Sequence, residues 1–319
     1  MKSLYNFVLK HIGLLLSWSI QNRYLFKMYN FIYEYSPHFI VRLLVRYVNL
    51  PAKDNMWKIE LLNSKSVLTS ITADNAKTAQ FALSYKWHSQ SLNFTEKLLN
   101  DFYPIDIPWI DVGANLGLRS LLSLSENRSV YFIEPNSEVN KLNIERCKLN
   151  SFTNYTLFDV GASNKKGTIE FIVDASSYCS TIEKDTLSED VVIDHQEIIR
   201  INTLDNLFAD RIHTSKTACI KIDVEGHELK VLDGAKSLLL GWSPTLIIEV
   251  NERGEHLSEF ISFLSGYGYQ IFEVGEFGRK YFKPVVQSQS DDYSYIRFND
   301  FLAVSDKVLL TMLSAYTVS

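Results

Sequence analysis

One nine-residue stretch restricts the fold more than any other part of the chain: Trp109-Ile110-Asp111-Val112-Gly113-Ala114-Asn115-Leu116-Gly117. An apolar run enters it, Gly113 and Gly117 punctuate it, and Leu118 to Leu124 leaves it with helical spacing. The pattern reads as strand, tight turn and helix start. Glycine has no Cβ, so such a turn lets a ligand approach the backbone, and the helix start aims its free amides at that ligand. A dinucleotide fingerprint would carry its middle glycine where Asn115 stands, which argues against a pyrophosphate. The acid Asp111 instead suits a ligand with positive charge and hydroxyls. The plainer alternative is a strand-turn-helix unit without a ligand.

A chain of 319 residues is long enough for one large domain or for a domain with an extension. Cys147, Cys179 and Cys219 are widely separated, so neither a disulfide framework nor a zinc knuckle is expected, and the compartment reads as reducing and cytoplasmic. No signal peptide is recognisable in the N-terminal segment. Charge is unevenly spread. Residues 1–50 hold Lys2, Lys10, Arg23, Lys27, Arg42 and Arg46 against Glu34, a balance of +5, so the remainder carries −10 of a net −5. An acidic body argues against a nucleic-acid groove.

The basic segment also carries an aromatic belt from Tyr24 to Phe39, and Arg42 and Arg46 sit one helical step apart among Ile40, Val41, Leu44, Val45 and Val48. It contains no uncharged apolar run of the roughly 18 residues that a membrane span needs. Two readings stay open for it. It packs as a helical extension on the body or on a second subunit, or it lies as an amphipathic helix on the inner face of a membrane. A pair of short strands follows, Trp57–Leu61 and Ser66–Ile71, which places the boundary between extension and main domain near residues 90 and 91.

From Trp109 onward strands and helices alternate, the signature of a parallel sheet covered on both faces. The second strand ends in Glu134, where a carboxylate facing the crevice can accept from both hydroxyls of a ribose; a solvated strand-end acid is the alternative. The third ends in Asp159-Val160-Gly161-Ala162, an acid suited to an adenine amino group followed by small residues that admit the ring. Residues 174–197 form an insertion rich in Asp, Glu and Ser, a lid over the cofactor face or a solvated loop. Thr203 is placed to cap a helix. The fourth strand runs into Asp223-Val224-Glu225-Gly226-His227-Glu228 and a helix over 229–240. Four ionisable side chains at one strand end suit acid-base chemistry. His227 is the first candidate base, because imidazole titrates near neutrality, with Asp223 and Glu225 orienting or replacing it; a capping or packing role for His227 is the alternative. Further strands are expected at Thr245–Ile248, ending in Glu249, at Tyr269–Val274 and at Phe301–Val304.

With these motifs together, residues 109 to about 250 resemble the FkbM family of S-adenosylmethionine-dependent methyltransferases. The resemblance rests on Ile110–Gly117, Ile133-Glu134-Pro135-Asn136, Val160-Gly161-Ala162-Ser163 and Thr203-Leu204-Asp205, and most specifically on Ile220-Lys221-Ile222-Asp223-Val224-Glu225-Gly226-His227-Glu228. It implies the α/β class I methyltransferase fold, Rossmann-like, with a seven-stranded sheet whose last strand is antiparallel and helices on both faces. It also implies S-adenosyl-L-methionine as cofactor, held by Asp111, Gly113, Asn115, Gly117, Glu134, Asp159, Val160 and Asp223, and methylation of a hydroxyl on a sugar or small natural product. A metal-assisted reaction using Asp223 and Glu249, and a non-catalytic cofactor-binding platform, are the competing expectations.

Overall fold

In a computed structural model the described residues are 55–61, 63, 65–71, 90–174, 180–182, 193–212, 217–250, 255–275, 282–285 and 299–317. The basic aromatic segment, Cys179, Asn251 and most of the 174–197 insertion lie outside them. The chain divides into two compact units, residues 1–59 with 68–88, and residues 60–67 with 89–319. Residues 60–67 fall in the second unit. In the first unit and its continuation, β1 (Asn55–Glu60) and β2 (Ser66–Ile71) form a two-stranded sheet.

The second unit is built on strands whose residues are apolar without alternation. In β3 (Trp109–Val112) and β9 (Cys219–Ile222) every residue is buried, as is all of β10 (Thr245–Glu249) up to its last residue. Such runs suit a parallel sheet covered on both faces. Together with β4 (Val130–Ile133), β5 (Tyr155–Phe158), β11 (Gln270–Val274), β12 (Phe282–Pro284) and β13 (Asp300–Val304) they make one sheet in the order β12-β11-β13-β10-β9-β3-β4-β5. The sheet has eight strands, not the expected seven. Seven are the anticipated ones; the eighth, β12, pairs antiparallel on the free edge of β11 after a segment read as loop. The antiparallel strand inside the sheet is β13, between β10 and β11. A second sheet, β6-β8-β7, contains β6 (Gly161–Ala162), β7 (Gly167–Asp174) and β8 (Ile193–Asn202), so the end of the expected insertion, residues 193–197, is strand.

Strand order reverses between β3 and β9, and the crevice outside their carboxyl ends is where ligands bind in open α/β sheets. Beneath it Ile110, Val112, Ile220, Ile222, Leu246 and Ile248 of the sheet pack with Phe260, Leu264 and Phe301 in one buried cluster.

Helix ends are set by specific side chains. Helix α1 (Gln90–Phe102) ends against buried Arg128, whose guanidinium donates to the carbonyls of Asn100, Tyr103, Pro104 and Ile107 and to Asn100 Oδ1 at 2.6–3.0 Å. After β3 the chain makes a 3₁₀ turn, Leu118–Ser120, before the five-residue α2 (Leu121–Ser125), where a continuous helix was expected. Helix α3 (Ser137–Leu149) is capped by Asn136, which accepts from the amides of Glu138 and Val139. Thr203 caps α4 (Leu204–Leu207), as its sequence position suggests. Asp205 has a longer reach: its two oxygens accept from the amides of Ser237 and Leu238, at 2.9 and 2.8 Å. The short α5 (Ala209–Ile212) follows. The single helix expected over 229–240 is two, α6 (Glu228–Asp233) and α7 (Lys236–Trp242). They part at Gly234, where a Cβ would lie 2.1 Å from the Ser163 carbonyl oxygen. Helices α8 (Glu255–Gly266) and α9 (Lys307–Leu313) complete the covering layers.

Among the described residues no helix is long and apolar enough to cross a membrane. Because Arg128 satisfies a set of buried carbonyls, Arg128→Met is expected to lower unfolding free energy by roughly 3 kcal/mol, since hydrogen bonds to charged groups contribute about 1.5 to 3 kcal/mol each. Urea unfolding followed by circular dichroism measures it.

Candidate active site

A cleft of about 650 Å³, open to solvent, lies at the carboxyl ends of β3, β4 and β9. Gly113, Asn115, Glu134, Asp223 and Glu225 line it. Asp111, Gly117, Asp159, Val160 and His227 do not, although each was expected at the site.

The first wall is the turn after β3. Gly113 has φ +70°, and a Cβ there would sit 1.9 Å from the Asp223 carbonyl oxygen, so conformation and contact both demand glycine. Gly117, at φ +61°, supports the turn from behind: a Cβ would lie 2.7 Å from Asn143 Oδ1. Helix α3 grips the turn through its carbonyls. Asn143 Nδ2 donates to the Asn115 oxygen at 2.6 Å, and buried Arg146 donates to the Leu116 oxygen and to Asn143 Oδ1. Four amides of the turn itself are paired within the protein. Those of Gly113 and Ala114 donate to the Ile133 carbonyl, that of Gly117 to Ala114, and that of Asn115 to Glu134 Oε2. These four amides are engaged within the protein, and Glu134, which holds one of them, stands beside the turn at the cleft wall.

Glu134 forms the second wall. Its Oε2 accepts from the Asn115 amide at 2.7 Å and its Oε1 from the Asn136 amide at 2.9 Å. Each carboxylate oxygen keeps a lone pair for a further donor. Burial pushes its pKa up to about 7, against the two amides that pull it down. Asp159 stands one strand further out, with its side chain half exposed. It accepts from Asn140 Nδ2 at 3.0 Å and lies 3.4 Å from Arg200 Nη2.

The Asp223–Glu228 motif separates into two pairs, which its sequence does not reveal. Asp223 and Glu225 face the cleft. Glu228 turns inward, where its Oε1 accepts from the amides of Val224 and Gly226, both at 3.2 Å. His227 is buried, with Nε2 3.0 Å from Ser163 Oγ. This is the packing alternative, and it takes His227 out of first place as the base. The turn is strained: Glu225 has φ +53° and Gly226 φ +98°, and left-handed non-glycine backbone costs about 1 to 3 kcal/mol. Glu228 and Thr181, whose Oγ1 donates to the Glu225 carbonyl at 2.8 Å, hold it there. Thr181 belongs to the insertion, and Ser180, Thr181 and Ile182 line the cleft. Nothing local in the sequence marks these three.

Behind Asp223 lies a buried ionic row. Lys221 Nζ is 2.9 Å from Asp223 Oδ2 and 3.7 Å from Asp111 Oδ1, and Ser120 Oγ donates to Asp111 Oδ2 at 2.7 Å. Asp111 is fully buried, so it supports the site from beneath and does not line it. Burial pushes its carboxyl up, against Lys221 and Ser120. For Lys221, burial pulls down but Asp223 and Asp111 outweigh it, and its pKa is raised. Glu249, ending β10 beside Asp223, is pushed up to about 9 by the Asp223 charge and by burial.

A model of the methyltransferase FkbM domain matches residues 111–271. The chain belongs to this family. No curated protein matches it. Three solved structures illustrate its likenesses. One is the methyltransferase FkbM from Methylobacillus flagellatus, 17% identical, covering 73% of this chain and 55% of that one, with TM-score 0.40. Another is an S-adenosylmethionine-dependent methyltransferase from Agrobacterium tumefaciens, 10% identical, covering 80% and 72%, with TM-score 0.39. The third is a magnesium protoporphyrin IX methyltransferase from Synechocystis with bound S-adenosylmethionine, 10% identical, covering 72% and 83%, with TM-score 0.38. The chain thus spans about half the length of the first of these. The matched segment is a methyltransferase domain, and S-adenosylmethionine is the cofactor that the family resemblance implies for it. The residues present fit that cofactor: Glu134, held by the Asn115 and Asn136 amides, offers two acceptor oxygens at the cleft wall.

If Glu134 accepts from ribose hydroxyls, its ionised form is the binding form. Glu134→Ala is expected to raise the cofactor Kd at least about tenfold, as losing a hydrogen bond to a charged group costs about 1.5 to 3 kcal/mol. In the parent protein, affinity should strengthen as pH rises and level off above about 7, where the carboxyl has lost its proton. One unit below that pH, binding should be roughly tenfold weaker. Titration calorimetry across pH 5.5 to 8.5, in buffers bracketed about the transition, measures both.

Proposed function

We propose that this FkbM methyltransferase transfers a methyl group from S-adenosylmethionine to a hydroxyl of a sugar on a cell-surface or lipid-linked glycan, with Asp223 as general base. The observation that carries the reading is Asp223 itself, a carboxylate on the same cleft wall as Gly113, with one oxygen held by Lys221 and its side chain 27% exposed. When bound, S-adenosylmethionine supplies an electrophilic methyl on a sulfonium sulfur. With the cofactor bound, Asp223 would take the hydroxyl proton as the acceptor oxygen bonds to the methyl carbon, the electron pair of the broken carbon–sulfur bond going to sulfur. Glu225, on the adjacent turn, orients the acceptor. Positioning of this kind contributes about 7 to 11 kcal/mol at best, and a general base a further factor of roughly 10² to 10⁴.

The sugar reading is supported by the family resemblance of the five motifs and by the basic, aromatic segment 1–50, which suits a cytoplasmic enzyme working beside a membrane surface. A methyl-transfer assay against a panel of glycan acceptors, read by a gain of one methylene in mass, tests it; transfer to small phenols or other natural products but to no sugar would overturn it. Asp223→Asn is expected to lower kcat by roughly 10² to 10⁴ with cofactor Kd changed less than about threefold. Flotation of the full-length protein with anionic vesicles is expected if residues 1–50 lie on the membrane, and a size-exclusion shift towards a dimer if they pair subunits.

A further inference from the structure

We propose that Lys221 is a positioning residue of the methyl-transfer reaction, aiming the Asp223 carboxylate by holding one of its oxygens so that the other faces the acceptor hydroxyl. This rests on the reading of Asp223 as general base. The residue stands out first by its surroundings. Lys221 lies in β9 between Ile220 and Ile222, in a strand with every residue buried, and its side chain is 6% exposed. Burying an ammonium there is expensive, and replacing buried ion pairs by apolar residues of similar volume is often neutral or stabilising. Stability alone therefore gives little reason for a lysine at this place.

Geometry supplies a reason. Lys221 and Asp223 are two residues apart, and alternate strand residues share a face. The register of β3 and β9 sets Asp111 opposite Lys221. The ammonium thus stands between two carboxylates, 2.9 Å from Asp223 Oδ2 and 3.7 Å from Asp111 Oδ1. Asp111 is itself fixed by the Ser120 hydroxyl at 2.7 Å, immediately after the glycine turn. Lys221 is closer to Asp223 than to Asp111, so its shorter bond is spent on the residue that reaches the cleft. The remaining charges nearby are Arg119, Glu96, Glu249, Asp300 and Glu225, predominantly acids, which leaves Lys221 as the cation that bonds Asp223. Asp111 acts as the counter-anchor: with it, the ammonium is restrained from both sides and the Asp223 rotamer is set before the acceptor arrives.

The test compares Lys221→Met, Asp223→Asn and the two combined, in the full chain, measuring kcat, acceptor KM, cofactor Kd and thermal midpoint. The expected result for Lys221→Met is a kcat at least about tenfold lower with KM and Kd within about threefold, and no further loss when it is added to Asp223→Asn, because residues acting as one unit are not additive. If Lys221→Met does not fold, the pair Asp111→Asn with Lys221→Met, which removes both charges of the buried partnership, carries the same expectation. Parental kcat in the folded Lys221 variant would overturn the proposal, as would a loss that adds in full to that of Asp223→Asn. A parental kcat in Asp223→Asn would instead remove the base reading, and the positioning role with it.

Discussion

The backbones of two neighbouring strands come so close at their carboxyl ends that one of them has no room for a side chain. Gly113 after β3 packs on the Asp223 carbonyl after β9, at a distance a Cβ would reduce to 1.9 Å. That contact joins the turn bearing the cofactor wall to the turn bearing the acids, at the point where strand order reverses. Everything else at the site serves to hold these two turns in that relation. Asn143 and Arg146 grip the first by its carbonyls, Glu228 and Thr181 grip the second, and the Asp111–Lys221–Asp223 row ties them from beneath.

This arrangement concentrates acidic groups. Asp111, Glu134, Asp223, Glu225 and Glu249 gather at one edge of the sheet, with Glu134 and Glu249 both pushed above the usual carboxylate range. The causes differ. Burial dominates at Glu134, whereas the neighbouring Asp223 charge dominates at Glu249. A carboxyl poised near neutrality, such as Glu134, titrates in the range where binding is measured.

Much of the sheet was legible in the chain because its strands are buried on both faces and so read as short apolar runs. β3, β4, β5, β9, β10, β11 and β13 lie within a residue or so of where those runs place them. β12 was not legible: three residues at a sheet edge, Phe282–Pro284, have too little pattern to be told from a loop. The break between α6 and α7 was also hidden, because its cause is the Ser163 carbonyl, some seventy residues earlier in the chain. Of the candidate site residues, Gly113, Asn115, Glu134, Asp223 and Glu225 line the cleft, where their position at strand ends suggests they would lie. His227 is buried against Ser163, a contact between segments distant in sequence that local patterns do not show, and Lys221 stands as a charged residue inside an apolar strand.

Local sequence by itself determined the alternation of strand and helix, the glycine at position 113, and which strand ends carry acids, since each depends on the chemistry of adjacent residues. Only the tertiary structure decided the direction in which each acid points. Asp111 and Glu228 turn inward to an ammonium and to two amides, Asp223 and Glu225 turn outward to the cleft, and Asp159 stands aside with Asn140 and Arg200. The physical reason is that a buried carboxylate is stable only beside partners that neutralise or hydrogen-bond it: Asp111 finds an ammonium on β9 and Asp159 an amide on α3, neighbours only after folding, while Glu228 closes on the amides of its own turn.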